Sequence, residues 1–242
     1  MIEKTRAIVL HFFKFKETQF VVDFLTESHG RLTFLVKMSS KNRGVVKRQY
    51  LQSLMLLNLE FDYRPNLRFQ KISNVEVACP FADIPFSPMK VSLSLFLAEV
   101  LVHATRCEQN NGPLFSFVFD SLVWLDNSKG SVANFHILFL MKLSFYIGVG
   151  PNISEASYDR PYFDLVGGEF VSLVPNHSHF LSQAESGILL QLLRLDYNTM
   201  HLYKMTRLQR NHCVEVILSY YKIHVPGFPD MKSLSVLREL FG

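Results

Sequence analysis

Along the chain the spacing of apolar residues changes period once. From Arg6 to Phe13, Phe20 to Leu25 and Arg31 to Val36 the residues are β-branched and aromatic, a pattern that predicts three strands of a meander. Glu27-Ser28-His29-Gly30 is the turn before the third. Leu51, Ser53, Met55, Leu57, Leu59 and Phe61 then alternate with Gln52, Leu54, Leu56, Asn58 and Glu60, and Arg68 to Val77 resumes after Pro65-Asn66. Five strands are therefore expected in about the first 78 residues. So few short strands cannot cover both faces of an open sheet, and closure into a small barrel removes the edges, which makes an OB-fold the natural candidate.

Past Cys79 three prolines in Pro80-Phe81-Ala82-Asp83-Ile84-Pro85-Phe86-Ser87-Pro88 interrupt any period, and helical spacing follows. Ser87 is placed as an N-cap with Pro88 at the first helical position, ahead of Leu93, Phe96, Leu97, Val100 and Leu101. Leu114, Phe117, Val118, Ser121, Leu122 and Leu125 repeat the pattern. Val132, Phe135, Phe139 and Leu143 lie on a third helix that is apolar nearly all round, hence central. Ser182 and Glu185 form a capping box before Ile188 to Leu193, and Val214, Ile217, Leu218 and Tyr221 mark a last long helix. Gly148 to His179 is rich in Gly, Pro, Ser and Asn. The expected fold is α+β: an OB-fold nucleic-acid-binding domain over residues 1–79, then a helical domain over 80–242 with an irregular hairpin excursion at about 148–180.

Composition supports a folded chain: of 242 residues 48% are hydrophobic and 19% charged, with 22 Phe, which excludes disorder. Met1 to Lys16 carries charges around a short alternating run, unlike a cleavable signal, so a cytoplasmic protein is expected. Phe135 to Val149 is too short for a bilayer and contains Lys142, so no membrane partner is expected. Cys79, Cys107 and Cys213 have no paired spacing and read as buried thiols of a reducing compartment.

Charge is uneven. Met1 to Ala78 holds 13 Lys and Arg against 7 Asp and Glu, a net +6, while the remainder of the +4 chain is net −2. The excess centres on Lys37-Met38-Ser39-Ser40-Lys41-Asn42-Arg43-Gly44-Val45-Val46-Lys47-Arg48, where five cations meet no carboxylate. Backbone phosphates need mobile cations and small polar donors without strict spacing, so Lys37, Lys41, Arg43, Lys47 and Arg48 are the expected phosphate contacts. Lys14, Lys16, Arg31 and Arg68 are expected to extend that face. Phe12, Phe13, Phe15, Tyr50 and Tyr63 are read first as barrel core and second as stacking surfaces for unpaired bases.

Nothing points to bond chemistry. Glu99 and His103 stand four apart on a helix without a third ligand, there is no Gly-x-Ser-x-Gly elbow, and the acids of the barrel are dispersed. An enzyme is not expected, and composition leaves DNA-binding and RNA-binding barrels open.

Ala7-Ile8-Val9-Leu10, Glu17-Thr18, Leu25-Thr26-Glu27-Ser28-His29-Gly30-Arg31-Leu32 and Val36-Lys37-Met38 resemble the opening of the bacterial RecO family. Phe145-Tyr146-Ile147-Gly148-Val149-Gly150-Pro151, Phe163-Asp164-Leu165-Val166-Gly167-Gly168-Glu169-Phe170, Tyr220 to His224 and Lys232-Ser233-Leu234 resemble its later segments, in order and almost end to end. The resemblance implies an OB-fold followed by a helical domain. It also implies binding of single- and double-stranded DNA, annealing, and loading of recombinase on strands coated by single-strand-binding protein, with RecR as partner. It further implies a helical-domain site for the acidic, Phe-ending tail of single-strand-binding protein, for which Arg106, Lys142, Arg207 and Arg210 are the candidate cations. Many relatives hold zinc on two Cys-x-x-Cys pairs, but Asn152 to Leu181 contains no cysteine. No metal or other cofactor is therefore expected, and Tyr158, Tyr162, Phe163 and Phe170 are expected to pack the hairpin instead.

Overall fold

In a computed structural model of the protein, the described residues are 2–37, 46–106, 111–154 and 161–240. The expectations for Lys41, Arg43, Cys107 and Tyr158 lie outside them. The elements run β1 (Ile2–Lys16), β2 (Gln19–Thr26), β3 (Gly30–Lys37), β4 (Leu56–Asp62), β5 (Ile72–Cys79), α1 (Pro88–Ala104), α2 (Gly112–Asn127), α3 (Phe135–Tyr146), β6 (Tyr162–Asp164), β7 (Glu169–Val171), β8 (Phe180–Leu181), α4 (Gln183–Leu193), α5 (Arg207–His224) and α6 (Leu234–Leu240). They form two compact units, one of Met1–Asn127 with Met231–Leu240, the other built on Ser128–Asp230.

The first unit contains a five-stranded sheet in the order β3-β2-β1-β4-β5, every neighbour antiparallel. β1 is long enough to serve two partners: Ile2 to Ile8 pair with β4, and Ala7 to Lys16 pair with β2. β3 and β5 do not pair, and one parallel bridge, Phe34 to Gln70, ties β3 to the loop before β5. Backbone bonds Gln70 N–H to Thr33 O (2.9 Å) and Leu35 N–H to Gln70 O (3.0 Å) make that seam. This is the OB-fold arrangement, its sheet left unclosed apart from that seam. Inside it, Phe24 meets Phe34 edge-on at 5.3 Å and Phe34 meets Phe61 at 5.2 Å, over Ala7, Val9, Val22, Leu57 and Leu59. Each buried ring contributes about 1.5–3 kcal/mol.

Strand bounds differ from the sequence pattern at two places. Arg48–Leu51 is a short 3-10 turn and β4 starts at Leu56. Buried Leu51 and Leu54 keep an apolar beat there, but Leu54 has a left-handed φ of 63° that a strand does not accept. β5 starts at Ile72 because Arg68 to Lys71 belongs to the loop that Gln70 ties down.

Ser87 caps α1, accepting the Lys90 N–H, with Pro88 at its first turn. The proline-rich segment before it is held by Asp126 of α2, whose carboxylate accepts the backbone N–H groups of Ala82, Asp83 and Ile84 at 2.8–2.9 Å. Burial opposes that charge, but the three N–H bonds and nearby Lys90 hold the carboxyl below its ordinary range. The buried Lys90 ammonium pairs with Asp83 at 2.6 Å and donates to Asp126 O. Glu99 of α1 accepts the N–H groups of Lys232 and Ser233 at the start of α6, so the carboxylate weighed above as a metal ligand is a helix anchor.

In the second unit α3 is apolar and buried on nearly every side, and the buried Tyr221 hydroxyl of α5 donates to Leu140 O at 2.8 Å. The capping box at Ser182 and Glu185 is formed. The irregular excursion holds a three-stranded sheet, β7-β6-β8. Phe163 packs on Phe170 at 4.8 Å and Tyr220 at 6.1 Å, with Leu165 and Leu181 completing the cluster, and Tyr162 meets Phe180 at 6.0 Å. Apolar packing and the absence of any thiol in Asn152 to Leu181 do not fit a tetrahedral thiolate zinc site. Gly168 turns the hairpin with φ 68°, where a Cβ would lie 2.7 Å from the Tyr220 hydroxyl. Among the described residues no helix is long and apolar enough to cross a membrane.

Candidate nucleic-acid interface

Beyond Ile8, β1 leaves β4 and runs on beside β2 alone, so the end of the β1–β2–β3 meander stands clear of the β1–β4 pairing. Register places Lys16 opposite Gln19 and Gln19 opposite Lys37. The two lysines therefore sit two strand spacings, about 10 Å, apart. Lys14, Lys16 and Lys37 are exposed. Pairing steps from Lys14–Phe20 to Lys16–Gln19, so β1 carries one extra residue there, Phe15. Such a bulge re-aims a side chain. Phe15 is 50% exposed and Phe13 46%.

The loop from Tyr63 to Lys71 meets this end. Arg64-Pro65-Asn66-Leu67 is a turn closed by Leu67 N–H to Arg64 O at 3.0 Å, with proline at its favoured second position. Gln70, only 4% exposed, braces it. Its Oε1 accepts the Arg64 N–H at 3.0 Å while its Nε2 donates to Arg64 O and Leu67 O at 2.9 and 3.0 Å. Because the Gln70 backbone is bonded to β3, the loop is fixed from both sides. Arg68 and Phe69 project from it: the guanidinium lies 5.3 Å from the Phe69 ring centre, and Phe69 lies 6.5 Å from Phe15. Lys16 Nζ lies 5.8 Å from the Phe15 ring centre.

At the described end of the basic loop Lys47 and Arg48 are both exposed, with Lys47 Nζ 5.9 Å from Tyr50. Buried Val46 and Leu51 anchor that stretch in the barrel core. Among the described residues no carboxylate pairs with Lys14, Lys16, Lys37, Lys47, Arg48 or Arg68. Glu17, in the β1–β2 turn, is the acid nearest along the chain.

Arg31 is placed elsewhere. Its side chain is 16% exposed, pairs with Asp23 at 2.8 Å and donates to Val102 O at 2.5 Å, so it joins β2, β3 and the end of α1. Of the aromatics, Phe12, Tyr50 and Tyr63 are half-buried against the barrel core. Gln70 and Phe69 were not singled out from sequence: the bonds that give them a role span either a short loop or the distance to β3 and β1.

The four candidate partner cations divide between the two units. Arg106 follows α1 in the first unit, 3.5 Å from His103. Lys142, Arg207 and Arg210 belong to the second, where Lys142 Nζ stacks 4.9 Å from Tyr197 and Arg210 donates to Met205 O at 2.6 Å. An apolar cleft between α4 and α5 is lined by Ile188, Leu189, Leu192, Val216 and Ile217. Glu185 and His212, 2.7 Å apart, stand at its rim. Burial, with Glu185 adding to it, pushes the nearby Cys213 thiol up to about 11, the opposite of a reactive thiolate. Among the described residues no group of three metal-ligating side chains converges.

Residues 1–81 match the family described as recombination protein O N terminal, and residues 86–234 match recombination protein O C terminal. The chain is 43% identical over 242 residues to a protein of Bacteroides fragilis named DNA repair protein RecO, with all of both chains covered. It is 41% identical over 241 residues to the protein of that name from Phocaeicola vulgatus and 33% identical over 243 to that from Christiangramia forsetii, again over the full length of each.

Proposed function

The chain belongs to the recombination protein O family of DNA repair proteins, and from that premise we propose that its barrel, residues 1–79, holds the sugar-phosphate backbone of single- and double-stranded DNA without reading sequence. Lys14, Lys16, Lys37, Lys41, Arg43, Lys47, Arg48 and Arg68 neutralise phosphates, so that two strands approach and pair. Annealing of this kind makes and breaks no covalent bond. One observation carries the reading: six described cations of the barrel face solvent without a carboxylate partner, two of them, Lys16 and Arg68, beside the rings of Phe15 and Phe69. Unopposed cations repel one another and are relieved by a polyanion.

Residues 80–242 serve partners in this reading. The acidic, Phe-ending tail of single-strand-binding protein docks on the helical part of the second unit, where Lys142, Arg207 and Arg210 supply the cations, and RecR completes the assembly that loads recombinase on coated strands. Its setting is the cytoplasm. Direct binding of labelled single- and double-stranded DNA, each competed with RNA of the same sequence, tests the barrel. DNA binding that survives RNA competitor supports the proposal. Preferential displacement by RNA replaces it with an RNA-binding barrel.

A further inference from the structure

We infer that Phe15 and Phe69 form a base-stacking platform that makes the barrel prefer unpaired DNA and hold it with its pairing edges free. The inference rests on the DNA reading above and adds what phosphate contacts alone cannot supply, since phosphates are present in both duplex and single strand.

The two rings come from different segments by different devices. Phe15 is the extra residue of the β1 bulge, half-exposed, and Phe12 three residues earlier packs on the barrel core. Phe69 sits on the loop that Gln70 holds rigid with three side-chain bonds and two backbone bonds to the sheet. Their centres are 6.5 Å apart with planes tilted by 46°, and Phe15 is 50% exposed. Each ring has its own cation, Lys16 Nζ 5.8 Å from the centre of Phe15 and the Arg68 guanidinium 5.3 Å from that of Phe69. Beside Phe69 a pocket opens, lined by Asp62, Arg64, Leu67, Gln70 and Lys71.

A ring with a cation beside it, occurring twice, matches the repeat of a single strand, where each base hangs beside its phosphate. A duplex presents no base face to such a surface, because every face is already stacked. Stacking also engages only the face of a base. Its hydrogen-bonding edge stays open to a complementary strand, which is the condition annealing requires.

The test compares the full-length protein with its Phe15→Ala/Phe69→Ala and Phe15→Trp variants on three probes: an oligothymidylate, an abasic strand of equal length, and a duplex. Stacking is worth about 1–3 kcal/mol per base, so wild type should prefer thymidylate over the abasic strand by at least about fivefold. The double alanine variant should bring that ratio close to one, and Phe15→Trp should keep it. Unfolding curves for each variant separate a lost platform from a lost fold. Equal binding of thymidylate and abasic strand by wild type, or an unchanged ratio in the double variant, overturns the platform while leaving phosphate binding intact. Failure of wild type to bind any of the three probes would instead overturn the DNA reading itself.

Discussion

Gln70 and Arg64 are joined by a reciprocal pair of hydrogen bonds: the Gln70 amide oxygen accepts the Arg64 N–H at 3.0 Å and its amide nitrogen donates to the Arg64 carbonyl at 2.9 Å. A buried side chain thus replaces a backbone ladder and makes a surface loop part of the barrel wall. Gln70→Leu removes these bonds and the one to Leu67 O, three part-buried hydrogen bonds in all, at about 1–3 kcal/mol. Urea denaturation should show that loss, and single-strand affinity should fall with it, because Phe69 and Arg68 lose their fixed position. Unchanged DNA binding in this variant would show that the loop needs no brace.

Salt dependence counts the phosphates. If about four are contacted by a single strand, log–log plots of affinity against salt should have a slope near −3, from roughly 0.7 per contact. Lys16→Ala/Arg68→Ala should make that slope shallower by about 1.4. A flat response in wild type removes the electrostatic basis of the proposal.

Arg31 provides the contrast. Its guanidinium is enclosed between Asp23 and the Val102 carbonyl, so Arg31→Ala should lower stability by about 2 kcal/mol, the scale of hydrogen bonds to a charged group. The salt slope of DNA binding, measured on the folded fraction, should not change. A slope reduced as much as by loss of Arg68 would move Arg31 back among the phosphate contacts.

His136 links stability to pH. Complete burial, with Arg210 adding to it, pushes the imidazole down from 6.5 to about 3. The folded state therefore keeps His136 neutral while the unfolded chain takes up a proton below 6.5, so stability is full above that value and declines as pH falls toward 3. Between pH 6.5 and 4.5, above the ordinary carboxylate range, the decline should approach about 1.4 kcal/mol per pH unit. His136→Gln should flatten most of it. His103, pushed down by burial and then by Arg106, supplies the remainder. An unchanged pH profile in His136→Gln would contradict the assignment.

What was legible in the sequence was local. Ser87 with Pro88, and Ser182 with Glu185, announce helix starts because a cap bonds to residues three positions away. The change from a period of two to helical spacing near Cys79 likewise needs only neighbours. The exposed cations of the barrel could be listed from charge alone. Their division could not: Arg31 and Arg68 look alike in the chain, and only Asp23 and a carbonyl 71 residues away distinguish them. Glu99 gains its role from Lys232 and Ser233, a separation no spacing rule reaches. The apolar beat from Leu51 to Leu54 reads as strand because alternation reports burial and not φ, and Leu54 adopts a φ that ends the strand.

The most direct measurement is the rate at which the protein anneals complementary strands, with and without cognate single-strand-binding protein. Wild type should be compared with Lys16→Glu/Arg68→Glu and Lys41→Glu/Arg43→Glu. Both reversed variants should anneal at least about tenfold more slowly, the scale of losing two phosphate contacts and adding two repulsions, while remaining folded. Annealing at the wild-type rate by both would contradict a barrel that works by neutralising the DNA backbone.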